Sequence, residues 1–215
     1  MNTINSYCCF HIMKLKYLLI LCCGLLFSCT SDSNKMKLNS DSLKIDSADA
    51  KFLIVPGKSI GKIYLGQNVI ELDSILGKPD FSDAAMGKAW SIWYRGDTSK
   101  FRKREIAIYS SYADSTMKWK DVKQIRVNSN KVTTVTGLNN GNLLSSFTAK
   151  YSDFNKVATF VNDNLGDTIL LYDSKSNGIA VEFIRDISRA IIIHKKGEQV
   201  NQTYLTLHPE WKILQ

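Results

Sequence analysis

The thiolate is the strongest ordinary nucleophile and metal ligand among the side chains. This chain of 215 residues confines its five cysteines to Cys8, Cys9, Cys22, Cys23 and Cys29. Residues 30 to 215 contain none. Cys29 stands just beyond the run Tyr17 to Phe27 (YLLILCCGLLF), which is wholly apolar or small and follows Lys14 and Lys16 with no acid nearby. That positive-then-apolar order belongs to a secretory signal. The run is 11 residues long, whereas a helix crossing the bilayer core needs about 20 apolar residues. Cys29 therefore stands at the end of a targeting segment, and no disulfide can form within the rest of the chain.

The ending Leu26-Phe27-Ser28-Cys29 resembles the bacterial lipobox, in which diacylglycerol is joined to the cysteine by a thioether and cleavage leaves that cysteine first. An ordinary signal peptide with an incidental late cysteine is the alternative. Met13-Lys14-Leu15-Lys16 also has the form of a signal start. Translation from Met13 would leave Cys8, Cys9 and His11 out of the protein. Residues 1 to 28 are assigned as signal peptide and residues 29 to 51 as a lipidated N-terminus with a flexible tether. Thr30 to Lys51 is rich in Ser, Asp and Lys and has too few apolar residues to offset the entropy of ordering. Thr30 also lacks the aspartate that retains some lipoproteins at the inner membrane, which favours the outer membrane and leaves its periplasmic or surface face open.

A second group of residues has the composition of a binding surface. Trp90, Trp93, Tyr94, Arg95, Lys100, Arg102, Lys103 and Arg104 lie close in sequence, with Trp119 and Lys120 later. On a strand Trp90, Ile92 and Tyr94 point one way and Trp93 the other. With the first set facing a core, Trp93 is left outside beside Arg95, Arg102, Lys103 and Arg104, and aromatic residues with arginines make protein-binding hot spots. The competing expectation is that a neighbouring strand, a loop or a second unit covers Trp93. Residues 52 to 215 carry 22 Lys and Arg against 16 Asp and Glu, a net of +6. This excess suits an acidic partner, an anionic lipid or a glycan. Export speaks against nucleic acid.

Other chemistry finds little support. Gly57-Lys58-Ser59 lacks the earlier glycine of a phosphate loop, since position 52 is Phe52. His194 and His208 have no cysteine near them and no metal-ligand spacing. His194 is expected to face solvent, opposite Ile193. No G-x-S-x-G nucleophile motif occurs, and carboxylate pairs such as Glu182 with Asp186 are ordinary in a chain with this many acids. Nothing in the sequence asks for an enzyme, a metal or a cofactor other than the covalent lipid on Cys29.

These residues depend on elements that the apolar pattern predicts. Val69, Leu72, Ile75 and Leu76 give one helical face. Asn68 with Glu71 has the form of a capping box, and Gly77 with Pro79 supplies the stop. Counted from Gly66, apolar residues stand at offsets three, six and ten (Val69, Leu72, Leu76), and the same offsets from Gly141 hold Leu144, Phe147 and Tyr151. Strand-like runs follow each segment: 89–94, 105–112 and 122–128 after the first, then 156–162, 168–173, 178–185 and 190–195. The order of helix then antiparallel strands, taken twice, predicts an α+β fold of two tandem units. Each would be a short helical segment packed on a small antiparallel sheet, over residues 52–134 and 135–215.

Ile63-x-Leu65-Gly66-x-x-Val69-x-x-Leu72-x-x-x-Leu76-Gly77-x-Pro79 resembles the opening motif of the small outer-membrane lipoproteins that include BamE (SmpA/OmlA) and the tandem-repeat beta-lactamase inhibitor protein. The resemblance spans about residues 54 to 207. It implies paired helix-plus-sheet units and assembly-factor or inhibitor-like roles. The expected function is then a non-catalytic protein-binding module, membrane-anchored through Cys29 and presenting a sheet surface to an envelope protein. The alternative is an envelope protein that binds an anionic lipid or glycan, with enzymatic activity left open.

Overall fold

Strand propensity dominates wherever Val, Ile, Tyr, Phe and Thr alternate along the chain. A computed structural model describes residues 53–95, 104–162, 166–200 and 211–214. The signal and tether, with Cys29, lie outside the described residues, as do Lys100, Arg102 and Lys103. The elements are β1 (Leu53–Val55), β2 (Ser59–Ile60), β3 (Ile63–Tyr64), a 3-10 turn (Val69–Glu71) continuing into α1 (Leu72–Leu76), β4 (Phe81–Ala85), β5 (Lys88–Arg95), β6 (Arg104–Tyr112) and β7 (Lys120–Val127). There follow β8 (Thr133–Thr134), α2 (Leu144–Lys150), β9 (Asn155–Asn162), β10 (Asp167–Ser174), β11 (Ile179–Ile184), β12 (Ile187–His194) and β13 (Trp211–Leu214). No helix among the described residues is long and apolar enough to cross a membrane.

The expected α+β fold of two tandem helix-on-sheet units is incorrect: the chain is mostly β, built around one antiparallel sheet of nine strands in the order β13-β9-β10-β11-β12-β7-β6-β5-β4. Two physical causes account for the difference. The helical segments are shorter than their apolar patterns, five residues in α1 and seven in α2. Gly77 at φ 76° ends the first, and Tyr151 turns extended after the second. More important, the meander β4 to β7 and the meander β9 to β12 do not close separately. Their last strands pair with each other, Ile191 with Val127 and Ile193 with Ile125, so the sheets merge. A smaller sheet, β3-β2-β1-β8, contains a parallel pairing of β1 with β8.

The spacing shared by Gly66 and Gly141 has a local structural counterpart. Gly66 N–H donates to Val122 near the start of β7, and Gly141 N–H donates to Ser188 near the start of β12. Both glycines have positive φ, 80° and 106°, which costs a residue without Cβ little. Two residues on, Asn68 bridges Asp121 and Leu143 bridges Ile187. Asn68 Oδ1 accepts the Ile70 N–H at 3.1 Å as an N-cap should. Glu71 does not complete the expected box, and its carboxylate accepts from Gln67 Nε2 at 3.0 Å instead.

The large sheet has buried residues on both faces. On one, Trp93, Ile108, Ile125, Val127, Ile191 and Ile193 pack with Leu72 of α1 and Phe147 of α2. Phe147 lies parallel to Phe154 and edge-on to Phe183, centroids 5.9 and 5.5 Å apart. On the other, Trp90, Ile92, Ala107 and Tyr109 form one cluster, and Phe160, Leu171, Ala180 and Ile192 another. Between these two clusters run the polar residues Glu105, Arg126, Glu182 and Gln124, all buried.

Candidate binding cavity

Antiparallel pairing of β5 with β6 sets Arg95 directly opposite Arg104. Directly opposed like charges destabilise a sheet, on the ~0.2–1 kcal/mol scale of cross-strand pairs, and both arginines are exposed at the strand ends. Both arginines line a cavity of about 560 Å³. Its apolar wall comes from Ile60 and Ile63 of the small sheet, Ile75 and Leu76 of α1, Ile106 of β6 and Val127 of β7. Lys62 and Lys131 add two further cations, and Glu105 and Ser129 are its acidic and neutral polar members.

The local sequence explains why these residues meet. Gly61, at φ 56°, reverses the chain between β2 and β3 and brings Lys62 to the rim. Gly77 ends α1 where the Leu76 carbonyl can accept from Arg95 Nη2 at 2.7 Å, while Arg95 Nη1 donates to Tyr94 O at 2.9 Å. A guanidinium has five N–H donors, so these bonds position Arg95 without exhausting it. Asn140 Nδ2 donates to the carbonyls of Val127 and Ser129 at 3.1 and 3.0 Å, fixing the chain as it leaves β7. Among the described residues none of the four cations lining the cavity forms an ion pair with a carboxylate.

Glu105 is held away from those cations by a buried partner. Arg126 donates to Glu105 through Nη1 and to both oxygens of Glu182 through Nε and Nη2, the latter two at 2.7 Å. Burial works against the charge of Arg126, and the Glu182 and Glu105 carboxylates outweigh it, so its pKa is raised. One positive charge between two carboxylates leaves a net negative centre behind an otherwise basic cavity.

The structure separates the residues expected to form one binding surface. Arg95 and Arg104 come together at the cavity. Arg102 and Lys103 belong to the 96–103 connection between them, outside the described residues. Trp119 is 44% exposed and stands beside the start of β7, at the far end of the strands. Of the two expectations for Trp93, exposed or covered, the covered one holds: it is 2% exposed, and its Nε1 donates to Gly77 O at 2.8 Å. The end of α1 covers it, because the sheet at β5 is buried on both faces and has no outer side.

His194 is likewise buried instead of facing solvent. Its Nε2 lies 2.8 Å from Asp173 Oδ1 and its Nδ1 3.2 Å from Lys195 O, while Asp173 Oδ2 accepts from Val200 N–H. With both ring nitrogens engaged, this pair ties β10 to β12 and offers no free base. Glu182 binds Arg126, and Asp186 sits in the exposed β11–β12 turn, so those acids do not act as a pair. Lys62, Lys131 and the Glu105–Arg126–Glu182 cluster were not identifiable from spacing, since their partners lie across strand pairings distant in sequence. No family model, curated protein or solved structure matches this chain.

Proposed function

We propose that the chain is a non-catalytic cell-envelope lipoprotein, anchored to the outer membrane through a lipid on Cys29, whose body binds an anionic amphiphile. The head, a phosphate or carboxylate, lies between Arg95 and Arg104 with Lys62 and Lys131 nearby. The tail lies along Ile60, Ile63, Ile75 and Ile106. The register of Arg95 opposite Arg104 carries this reading, because an anion converts a repulsive pair into a clamp. A cavity of about 560 Å³ with an apolar wall and few polar groups is also within the usual range for small-molecule sites. A protein-binding surface centred on Trp93 has lost its anchor, since that ring is buried.

Titration of the full chain with dodecyl phosphate, dodecanol and inorganic phosphate tests the reading. Dodecyl phosphate should bind more tightly than either of the others and weaken as salt rises. Arg104→Gln should reduce its affinity about tenfold, the lower end for a hydrogen bond to a charged group at a solvent-accessible site. Equal binding of dodecanol, or an unchanged affinity in Arg104→Gln, would reject the anion clamp. For the anchor, Cys29→Ser should release the protein from the membrane fraction or block its maturation; normal retention of that variant would reject lipidation at Cys29.

A further inference from the structure

At the end of β5, β6 and β7 opposite the cavity, two hairpin tips lie side by side. Met86 and Gly87 connect β4 to β5 with φ 50° and 77°. Two successive positive values are the signature of a type I′ turn, which ordinarily selects Asn or Asp before the glycine. Here the position holds a methionine that is 99% exposed. In the neighbouring connection from β6 to β7, Met117 also has positive φ, 55°, and is 63% exposed. Neither side chain serves the core, and neither is the residue the backbone would choose.

The tips are braced against one another. The Tyr112 ring lies so close to Gly87 that a Cβ there would come within 2.7 Å of it. Lys120 Nζ stands 5.6 Å from the centroid of the same ring. In the second tip, Asp114 Oδ1 accepts from the Thr116 N–H and Oγ1–H at 2.8 and 2.5 Å, and Ala113 N–H closes onto Trp119 O at 3.0 Å. Met86, Met117, Trp119 and Tyr112 are the exposed large apolar side chains of these two tips.

We infer that these paired tips seat in the headgroup layer of an anionic bilayer. Charge and composition favour lipid over a protein partner. Lys88 and Lys118 are exposed and Lys120 is half-buried beside the tips, against the exposed acids Asp83 and Asp114. Asp121 just beyond is paired with Lys123 at 2.6 Å. Protein interfaces are depleted in lysine. Amphipathic aromatic rings flanked by lysines instead match the boundary between acyl chains and anionic headgroups. The inference is independent of what the cavity binds.

Hydrogen exchange of the full chain in vesicles reads the contact locally. Two preparations are compared, one of phosphatidylcholine and one of phosphatidylethanolamine with phosphatidylglycerol. In the second, amides of residues 86–88 and 114–119 should exchange more slowly by on the order of tenfold. The Arg185–Asp186 turn, which has positive φ but no apolar tip, should not change. Met86→Asn with Met117→Asn keeps a residue tolerant of left-handed backbone and should abolish the protection without unfolding the hairpins. Lys118→Gln and Lys120→Gln should each weaken it roughly fivefold. Equal exchange in both vesicles, or full protection in the Asn variant, would overturn the inference. Protection that needs added envelope protein and is missing in protein-free vesicles would also overturn it, in favour of a protein partner.

Discussion

Replacing Arg126 by methionine is expected to destabilise the fold more than any surface change, with a penalty that shrinks in acid. The substitution retains an unbranched apolar stem and removes the charge that pairs with Glu105 and Glu182, both of which are buried. Breaking a buried ion pair by removing one partner costs about 3–5 kcal/mol. Protonation limits that cost. Neutralising a carboxyl of ordinary pKa ~4.3 at pH 7 takes about 3.7 kcal/mol, at 1.36 kcal/mol per unit. Two stranded glutamates thus bound the loss at about 7 kcal/mol, and the expected value lies between 3 and 7 kcal/mol.

The sign follows from the same limit. In the variant the folded state takes up protons that the unfolded state does not, so its stability rises as pH falls from 7 toward 5. At pH 5 the bound drops to about 1 kcal/mol per glutamate. Urea unfolding of native and variant proteins at pH 7 and pH 5, followed by tryptophan fluorescence, measures both quantities. Adding Glu105→Gln and Glu182→Gln to Arg126→Met should recover part of the loss at pH 7. A loss below about 1 kcal/mol at pH 7, or one that does not shrink by pH 5, would refute the view of this cluster as a buried charge-balanced unit.

Two further outcomes concern the frame around the sites. Gly178→Ala should destabilise by more than about 2 kcal/mol in the same unfolding assay, since φ there is 69° and the added Cβ would lie 2.4 Å from His194 O and 2.8 Å from Gly57 Cα. Asp153, whose carboxylate accepts from Ser174 Oγ and from Ser176 N–H at 2.9 Å, has its pKa lowered to about 2 chiefly by the Ser174 bond. A depressed carboxyl stabilises the fold above its unfolded pKa and loses that contribution as pH falls from about 4 through about 2. Asp153→Asn should flatten the stability profile in that window, and an unchanged profile would count against the bond.

The elements were more legible than their arrangement. Alternation located most of the large-sheet strands, and the stripe of Val69, Leu72, Ile75 and Leu76 does face the core. Periodicity of two, however, assigns residues to opposite faces without saying which faces are buried. A wet side to the sheet puts His194 outside and leaves Trp93 open between exposed and covered, whereas this sheet buries residues on both faces. The pairing of β7 with β12 joins segments about 65 residues apart and leaves no local signal. The cavity has no local signal for the same reason: Arg95 and Arg104 are basic residues whose opposition follows from strand register, and Lys62 and Lys131 come from the β2–β3 turn and the loop after β7.

The β7–β12 pairing has a consequence for alignment. Its core-facing residues, Ile125 and Val127 against Ile193 and Ile191, are nearly interchangeable. A slip by two positions would keep them on the same face at little cost in apolar contact, whereas a slip by one would reverse the faces. Arg126 removes the two-residue alternative. It reaches across β12 to Glu182 on β11 while holding Glu105 on its own side. A displacement of two residues, about 6.8 Å, would part it from Glu182 and strand both charges. The apolar face thus chooses which side is inward, and the charged cluster chooses which rung meets which, so that the two meanders join in a single registration.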